Sequence, residues 1–270
     1  MTELAEVLNQ IDAVQPLNLT LKAIKLITKG TPLLATGEKS SRLMVSMLTR
    51  MKTMLSGGQV PIRQKDSIYG SLILTASVLV SELKLKALPH LTWVIDSLLT
   101  GLDSDPPGDQ IKLIMVASLS KVIKSQSQFL SPFLERIVYA LAQFETNTTT
   151  DLGLRVTNTI ELVSRSPSRL LLPALAATYT KKKLNGLQTR QLLFITERHI
   201  ENGEKSETQK QQGQLQSFFI EALDFRTARK DELSVDVIDA TEKATCSALV
   251  KLALKLPEAA LRPLLFKIFR

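Results

Sequence analysis

Four Pro-x-Leu triplets divide this chain into similar lengths: Pro89-His-Leu91, Pro132-Phe-Leu134, Pro173-Ala-Leu175 and Pro263-Leu-Leu265, at spacings of 43, 41 and 90 residues. The last spacing is two periods of 45, and the position it skips falls near Gln216 to Phe219, where another amphipathic helix is readable. Internal self-similarity at 20 to 50 residues fixes an architecture before any other feature does. Proline suits a helix start because its missing N–H is unneeded in the first turn and its φ is already helical. Each triplet is therefore read as opening a helix, with Ser131 as an N-cap before Pro132.

Within a unit the apolar residues follow the helical period. Leu91, Val94, Ile95, Leu98 and Leu102 form one stripe, and Ile111, Ile114, Met115, Leu119 and Val122 the next. Between them Asp103-Ser-Asp-Pro-Pro-Gly-Asp109 is a breaker cluster, with Asp109 as the expected cap of the second helix. Two helices per unit and a period of roughly 40 to 47 residues are the HEAT or armadillo pattern. The expected fold is an all-α, HEAT-type solenoid of antiparallel helix pairs.

The units expected are about 88 to 125, 130 to 166, 169 to 202 and 213 to 256. Residues 1–62 hold less regular helices, among them Thr31-Pro-Leu-Leu34 and a helix from Ser40 to Leu55 closed by Ser56-Gly-Gly58. A long helix runs from about Arg63 to Lys86. Residues 63–256 carry the hairpin repeats, and residues 257–270 a final repeat truncated at Arg270, with Phe266 and Phe269 as an uncovered face. The whole is read as one continuous domain. The polar stretch Glu201 to Gln214 has no bulky apolar residue and is expected to be a mobile loop.

Composition excludes several classes. Hydrophobic residues make up 44% and aromatics only 5%, which suits helix-on-helix packing. The single Cys246 cannot form an internal disulfide, and an intracellular protein is expected. Met1 to Asp12 lacks the basic start and apolar core of a signal peptide. Ile68 to Val80 is shorter than the about 20 residues a bilayer needs, so it is read as a buried helix, with no membrane partner. The +8 net charge suits RNA or acidic protein surfaces without choosing between them.

The residues of ordinary active sites are sparse. His90 and His199 stand at metal spacing neither from each other nor from Cys246, and both are read as surface residues. Gly57-Gly58 lacks the Lys and the β context of a phosphate loop. No catalytic residue, metal, cofactor or small-molecule substrate is expected; an enzyme would need folding to bring an acid/base pair into a deep pocket. Met44, Met47, Met51 and Met54 form a helical stripe, read as core. Lys181-Lys182-Lys183 ends a helix, where cations complement the dipole. With Arg190 and Arg198 it is the candidate contact for a partner or RNA, although no aromatic platform for base stacking accompanies it.

Two strings are more specific: Phe218-Phe-Ile-Glu-Ala-Leu-Asp-Phe-Arg226, and Lys255-Leu-Pro-Glu-Ala-Ala-Leu-Arg-Pro-Leu-Leu-Phe-Lys-Ile-Phe269. Both resemble the C-terminal region of the large HEAT-repeat, U3 small nucleolar RNA-associated family of the small-subunit processome. Glu82-Leu-Lys-Leu-Lys-Ala-Leu-Pro-His-Leu91 and Phe129-Leu-Ser-Pro-Phe-Leu-Glu135 extend the likeness over about residues 65 to 269. Pro257 and Arg270 depart from the family's small polar and acidic residues, and its acidic and aromatic continuation is absent. The resemblance implies a non-enzymatic nucleolar scaffold in ribosome biogenesis and 18S rRNA processing. It also implies a link with transcription of ribosomal DNA. Its implied partners are β-propeller proteins of the same subcomplex, the U3 snoRNP and pre-rRNA. The alternative is a HEAT adaptor of nuclear transport or phosphatase assembly.

The first string also has a structural reading: Phe218, Phe219, Ala222 and Leu223 share a buried face with Leu215, while Glu221 points away. Asp224 and Arg226 are too close along a helix to pair with each other and are expected to hold the following loop. Phe225, Arg262 and Pro263 complete the motif positions and are read as structural.

Overall fold

A helix that is apolar on all sides is stable only when neighbours surround it, and Ile68 to Val80 is such a run. In the computed structural model, which describes residues 14–30, 37–56, 65–103, 108–146, 149–230 and 232–268, this run lies in a central helix. The first compact unit, Met1–Phe129, holds α1 (Val14–Gly30), α2 (Glu38–Ser56), α3 (Lys65–Leu83), α4 (Leu88–Asp103) and α5 (Asp109–Gln126). Helix α3 packs against all four others. Its Leu72, Ile73, Ala76, Leu79 and Val80 are fully buried. Ile68–Asp103 is apolar and long enough to cross a membrane by composition alone, yet 61% of its most apolar window is buried inside the protein, as in a core helix.

The second unit, Leu130–Arg270, holds α6 (Leu134–Ala142), α7 (Asp151–Ser164), α8 (Ser168–Lys181), α9 (Gly186–Asn202) and α10 (Lys205–Lys210). It continues with α11 (Gln212–Leu223), α12 (Phe225–Arg229), α13 (Val235–Lys255) and α14 (Glu258–Ile268). In both units like helices stack. The second helices of the hairpins form one layer, α1–α3–α5 in the first unit and α7–α9–α13 in the second. The first helices form the other, α2–α4 and α6–α8–α11–α14. Contact between like helices of successive hairpins is the signature of stacked helical repeats, where each repeat buries its face on its neighbour.

Hydrogen bonds mark the period independently of the proline spacing. Gln126 Nε2 donates to the Val80 carbonyl (3.1 Å), 46 residues back; Thr146 Oγ1 to Gln191 Oε1 (3.1 Å), 45 residues on; and Tyr179 Oη to the Glu221 carbonyl (3.1 Å), 42 on. Asn202 Nδ2 reaches Glu161 Oε1 (2.9 Å) across 41 residues. Between α9 and α13 the separation grows to 50 for Ser247–Glu197 and 54 for Lys255–Glu201, because the short helices α10 and α12 lengthen that repeat. Buried Thr75, Thr159, Thr178, Thr196, Thr241 and Thr245 donate to the carbonyl four residues back, so these hydroxyls are satisfied within their own helices, whereas the buried hydroxyls of Ser77 and Ser118 have no partner among the described residues.

The expected stripes lie on buried helix faces, except that Ile114 is only half-buried. Leu91, Val94, Ile95, Leu98 and Leu102 are buried, as are Met44, Met47, Met51 and Met54 of α2. Several local readings are corrected. Pro173 and Pro263 do not open helices but lie inside α8 and α14. The true starts follow Pro167 and Pro257, whose carbonyls accept the first-turn N–H groups of Leu170, Leu171, Ala260 and Leu261. Both helices thus carry a proline just outside and another at their sixth residue, where the exposed ring costs one solvent-side hydrogen bond. Ser131 is not an N-cap; Ser131–Phe133 is a 3-10 turn capped by Leu130, with no side-chain bond. Gly108, not Asp109, caps α5. Glu201–Gln214 is not a loop, since α9 runs to Asn202 and α10 and the start of α11 fill the rest. Thr31–Leu34, Gly57–Gly58, Arg63, the breaker residues 104–107, Phe269 and Arg270 lie outside the described residues.

One contact between second-layer helices is close enough to require glycine. A Cβ on Gly186, the first residue of α9, would sit 2.1 Å from Val237 Cγ1 on α13, and a β-branched side chain cannot swing away. Gly186→Ala is expected to cost about 1–3 kcal/mol by overpacking. In urea melts the Gly186→Ala/Val237→Ala double variant should recover most of that loss; no recovery would show that the contact does not set the helix approach.

Candidate functional site

The two strings singled out in the sequence come together in the stretch α10–α14. Leu215, Phe218, Phe219 and Ala222 turn one face of α11 inward, and Phe219 is fully buried. Phe218 stands edge-on to Phe219 and to Tyr179 of α8, each at 5.6 Å between centroids. The helix breaks at Asp224, whose N–H bonds the Ile220 carbonyl (3.2 Å) and whose own carbonyl accepts from Ala228 (2.9 Å) at the start of α12. Phe225 buries on the new axis, while Glu221 and Asp224 face solvent. The motif therefore makes a corner.

Arg226 closes that corner. Its Nε and Nη2 grip Glu242 Oε1 and Oε2 at 2.7 and 2.8 Å, and Nη2 also meets Asp239. Both carboxylates are on α13, past the turn after α12, so the pairing bridges two helices. The fork drives the guanidinium pKa upward and the Glu242 carboxyl downward. Arg262 pairs with Glu258 one turn earlier on α14 (2.7 Å), and Pro263 is exposed. The Tyr179 hydroxyl, held on the Glu221 carbonyl, is pushed up to about 12, first by burial and then by the Glu221 carboxylate.

The basic group does not converge. Lys181 pairs with Glu135 one repeat back (3.1 Å), and Lys183 with Glu232 beyond α12 (3.4 Å). Lys182 lies over the Tyr139 ring at 4.9 Å. Arg198, further along α9, holds Glu201 (2.9 Å) and covers Phe194. Arg190 makes no ion pair among the described residues. Lys181, Lys182 and Lys183 tie repeats together at the edge, Arg198 pairs within its own helix, and no described geometry points two or more of these cations at one phosphate.

His199 is not at the surface. It is 6% exposed, with Nδ1 2.7 Å from the Ser164 carbonyl and Nε2 3.0 Å from Ser168 Oγ. It joins α9 to the turn between α7 and α8, beside a half-open cleft of about 170 Å³ lined also by Arg165, Asn202 and Glu207. His90 is half-buried, its Nδ1 accepting from Trp93 Nε1 (3.1 Å). Among the described residues no three His, Cys, Asp or Glu side chains group to hold a metal ion. The sequence signal missed was the stripe Leu192, Ile195, Thr196, His199, which places His199 on the buried face of α9. Val250, Leu254, Leu265 and Phe266 are exposed on α13 and α14; Phe269, expected beside Phe266, lies outside the described residues.

Stacked helix pairs with a period near 45 residues define a HEAT-type helical-repeat protein, and the relatives found by comparison carry that term in their names. Residues 207–270 match the family model of the BP28CT (NUC211) domain, which begins within α10 and takes in α11–α14. Over 218 residues, 77% of the chain, the sequence is 32% identical to HEAT repeat-containing protein 1 of Homo sapiens. It is 26% identical over 217 residues (76% of the chain) to the Danio rerio protein of that name, and 38% identical over 102 residues (37%) to that of Macaca fascicularis. Each match covers 10% of the relative, so the chain spans about a tenth of the length of the proteins it resembles.

Burial lowers the pKa of His199 below the ordinary 6.5, against a smaller upward pull from its bond to Ser164. A depressed folded-state value means that the unfolded chain binds the proton first. The stability this confers is complete above the ordinary histidine value and is lost as pH falls toward the folded value. Wild-type melting temperature should thus rise between pH 5 and pH 7.5, and His199→Ala should flatten part of that rise, leaving the part due to His90, which is lowered likewise. An unchanged slope in the variant would remove His199 as the source.

Proposed function

We propose that this chain is the C-terminal repeat region of a non-enzymatic scaffold in ribosome biogenesis, acting in assembly of the small-subunit processome and in processing of pre-18S rRNA. The observation that carries this reading is the match of residues 207–270 to the BP28CT (NUC211) domain at the end of a chain similar over 77% of its length to HEAT repeat-containing protein 1. The buried Phe218–Phe219 pair and the Arg226 fork give the matched strings a physical task, fixing the corner between α11 and α13. A scaffold of this kind works by presenting the two outer surfaces of stacked helices.

On this reading the partners are β-propeller proteins of the same subcomplex and the U3 snoRNP, with pre-rRNA contacted by the assembly, and the protein resides in the nucleolus. The dispersed pairing of Lys181, Lys183 and Arg198 favours protein contacts over a phosphate track as the role of this unit. Affinity capture of the full-length protein from nuclear extract tests the proposal. The U3 RNA and propeller proteins should co-purify; recovery of transport receptors or phosphatase subunits without U3 RNA would refute it.

A further inference from the structure

Among the described residues one non-glycine residue has a left-handed backbone: Lys84, with φ 50°, at the join between α3 and the 3-10 turn Lys84–Ala87. An L-residue pays for that conformation, and a chain needing it at a helix end usually places glycine there. The turn itself has a clear task. Gln126, at the end of α5, donates its Nε2 to the carbonyls of Val80 (3.1 Å) and Lys84 (3.0 Å), capping α3 from the neighbouring repeat. That task uses only the backbone of residue 84. The Lys84 side chain is exposed and makes no ion pair among the described residues.

The surroundings of Lys84 share its character. Leu85 is 60% exposed although it is a large aliphatic residue in the middle of the turn. Lys86 is exposed and reaches Ser41 Oγ of α2 (2.8 Å). The carboxylate nearest along the chain, Glu82, is half-buried, and Glu38 of α2 is taken up by Arg42. The fold thus holds an unpaired cation in a strained conformation, beside an exposed aliphatic side chain and a second exposed cation, Lys86.

We propose that the Lys84–Lys86 turn is a docking tip for an acidic protein segment carrying an aliphatic anchor, with Leu85 as its apolar contact and Lys84 and Lys86 as its charge complement. Opposite charge would steer the encounter, and burial of Leu85 would hold it. RNA fits less well, because no exposed aromatic ring of the described residues stands in the turn for a base to stack on, and a bare leucine gives a phosphate backbone nothing. This surface lies in the first unit and is independent of the function proposed above.

The full 270-residue chain should be titrated by fluorescence anisotropy with a labelled peptide of mixed Glu, Asp and Leu, and with an oligouridylate of equal length. Lys84→Gly should melt at or above the wild-type temperature, because it relieves the backbone, yet bind the peptide about threefold more weakly. Leu85→Ser should weaken it about fivefold with the fold intact. The proposal is overturned if peptide binding is absent or unchanged in both variants, or if Lys84→Gly melts lower than wild type. It is equally overturned if the oligouridylate is the ligand that the variants release, which would make the turn a phosphate site.

Discussion

The contact between like helices of successive repeats is what the rest of this structure depends on. In the first unit α3 lies between α1 and α5, and in the second α9 lies between α7 and α13. A single hairpin cannot bury its apolar face alone, so the fully buried side chains of α3 and the closed approach at Gly186 exist only because a neighbour stands one repeat away. Polar ties then set the register. Gln126, Tyr179 and Asn202 each satisfy a group roughly one period distant, and a slip of one helical turn would break all three.

This arrangement also governs the charges. Lys181 with Glu135, Lys183 with Glu232 and Lys251 with Glu201 link neighbouring repeats rather than residues of one helix. Exposed pairs contribute little each to stability, but they consume cations that would otherwise form a continuous basic track. Cations without an ion pair among the described residues, such as Lys39, Lys52, Lys84, Arg169 and Lys243, are scattered over both units. A net charge of +8 is therefore a poor guide to where this protein meets its partners, since the excess is spread over both units rather than gathered on one face.

How much of this was legible in the sequence depended on whether apolar residues carried the signal. The stripe from Leu91 to Leu102 and the methionines of α2 gave helix and face together, because burial repeats at 3.6 residues. Proline gave the period but misplaced two helix starts: Pro173 and Pro263 repeat as faithfully as Pro167 and Pro257, and spacing alone cannot tell the proline before a helix from the one inside it. Helix α10 was illegible for the opposite reason. Lys205–Lys210 has no bulky apolar residue, and its helix is held by Thr208, which buries and donates to the Glu204 carbonyl (3.1 Å), and by packing on α13. Of the candidate basic residues, Lys181 closes α8, Lys182 and Lys183 lie just past it, and Arg190 and Arg198 are on α9. The partner of Lys181 one repeat away was not legible, since pairing across 46 residues leaves no local trace.

Native-state hydrogen exchange, read by mass spectrometry on the intact chain, tests the dependence on stacking most directly. Amides of α3 and α9, each flanked by layer neighbours on both sides, should exchange slowest in their units, and those of α14 and α10 fastest. Exchange of α9 as fast as α14, or of α3 as fast as α2, would contradict an architecture held together by contacts between like helices of successive repeats.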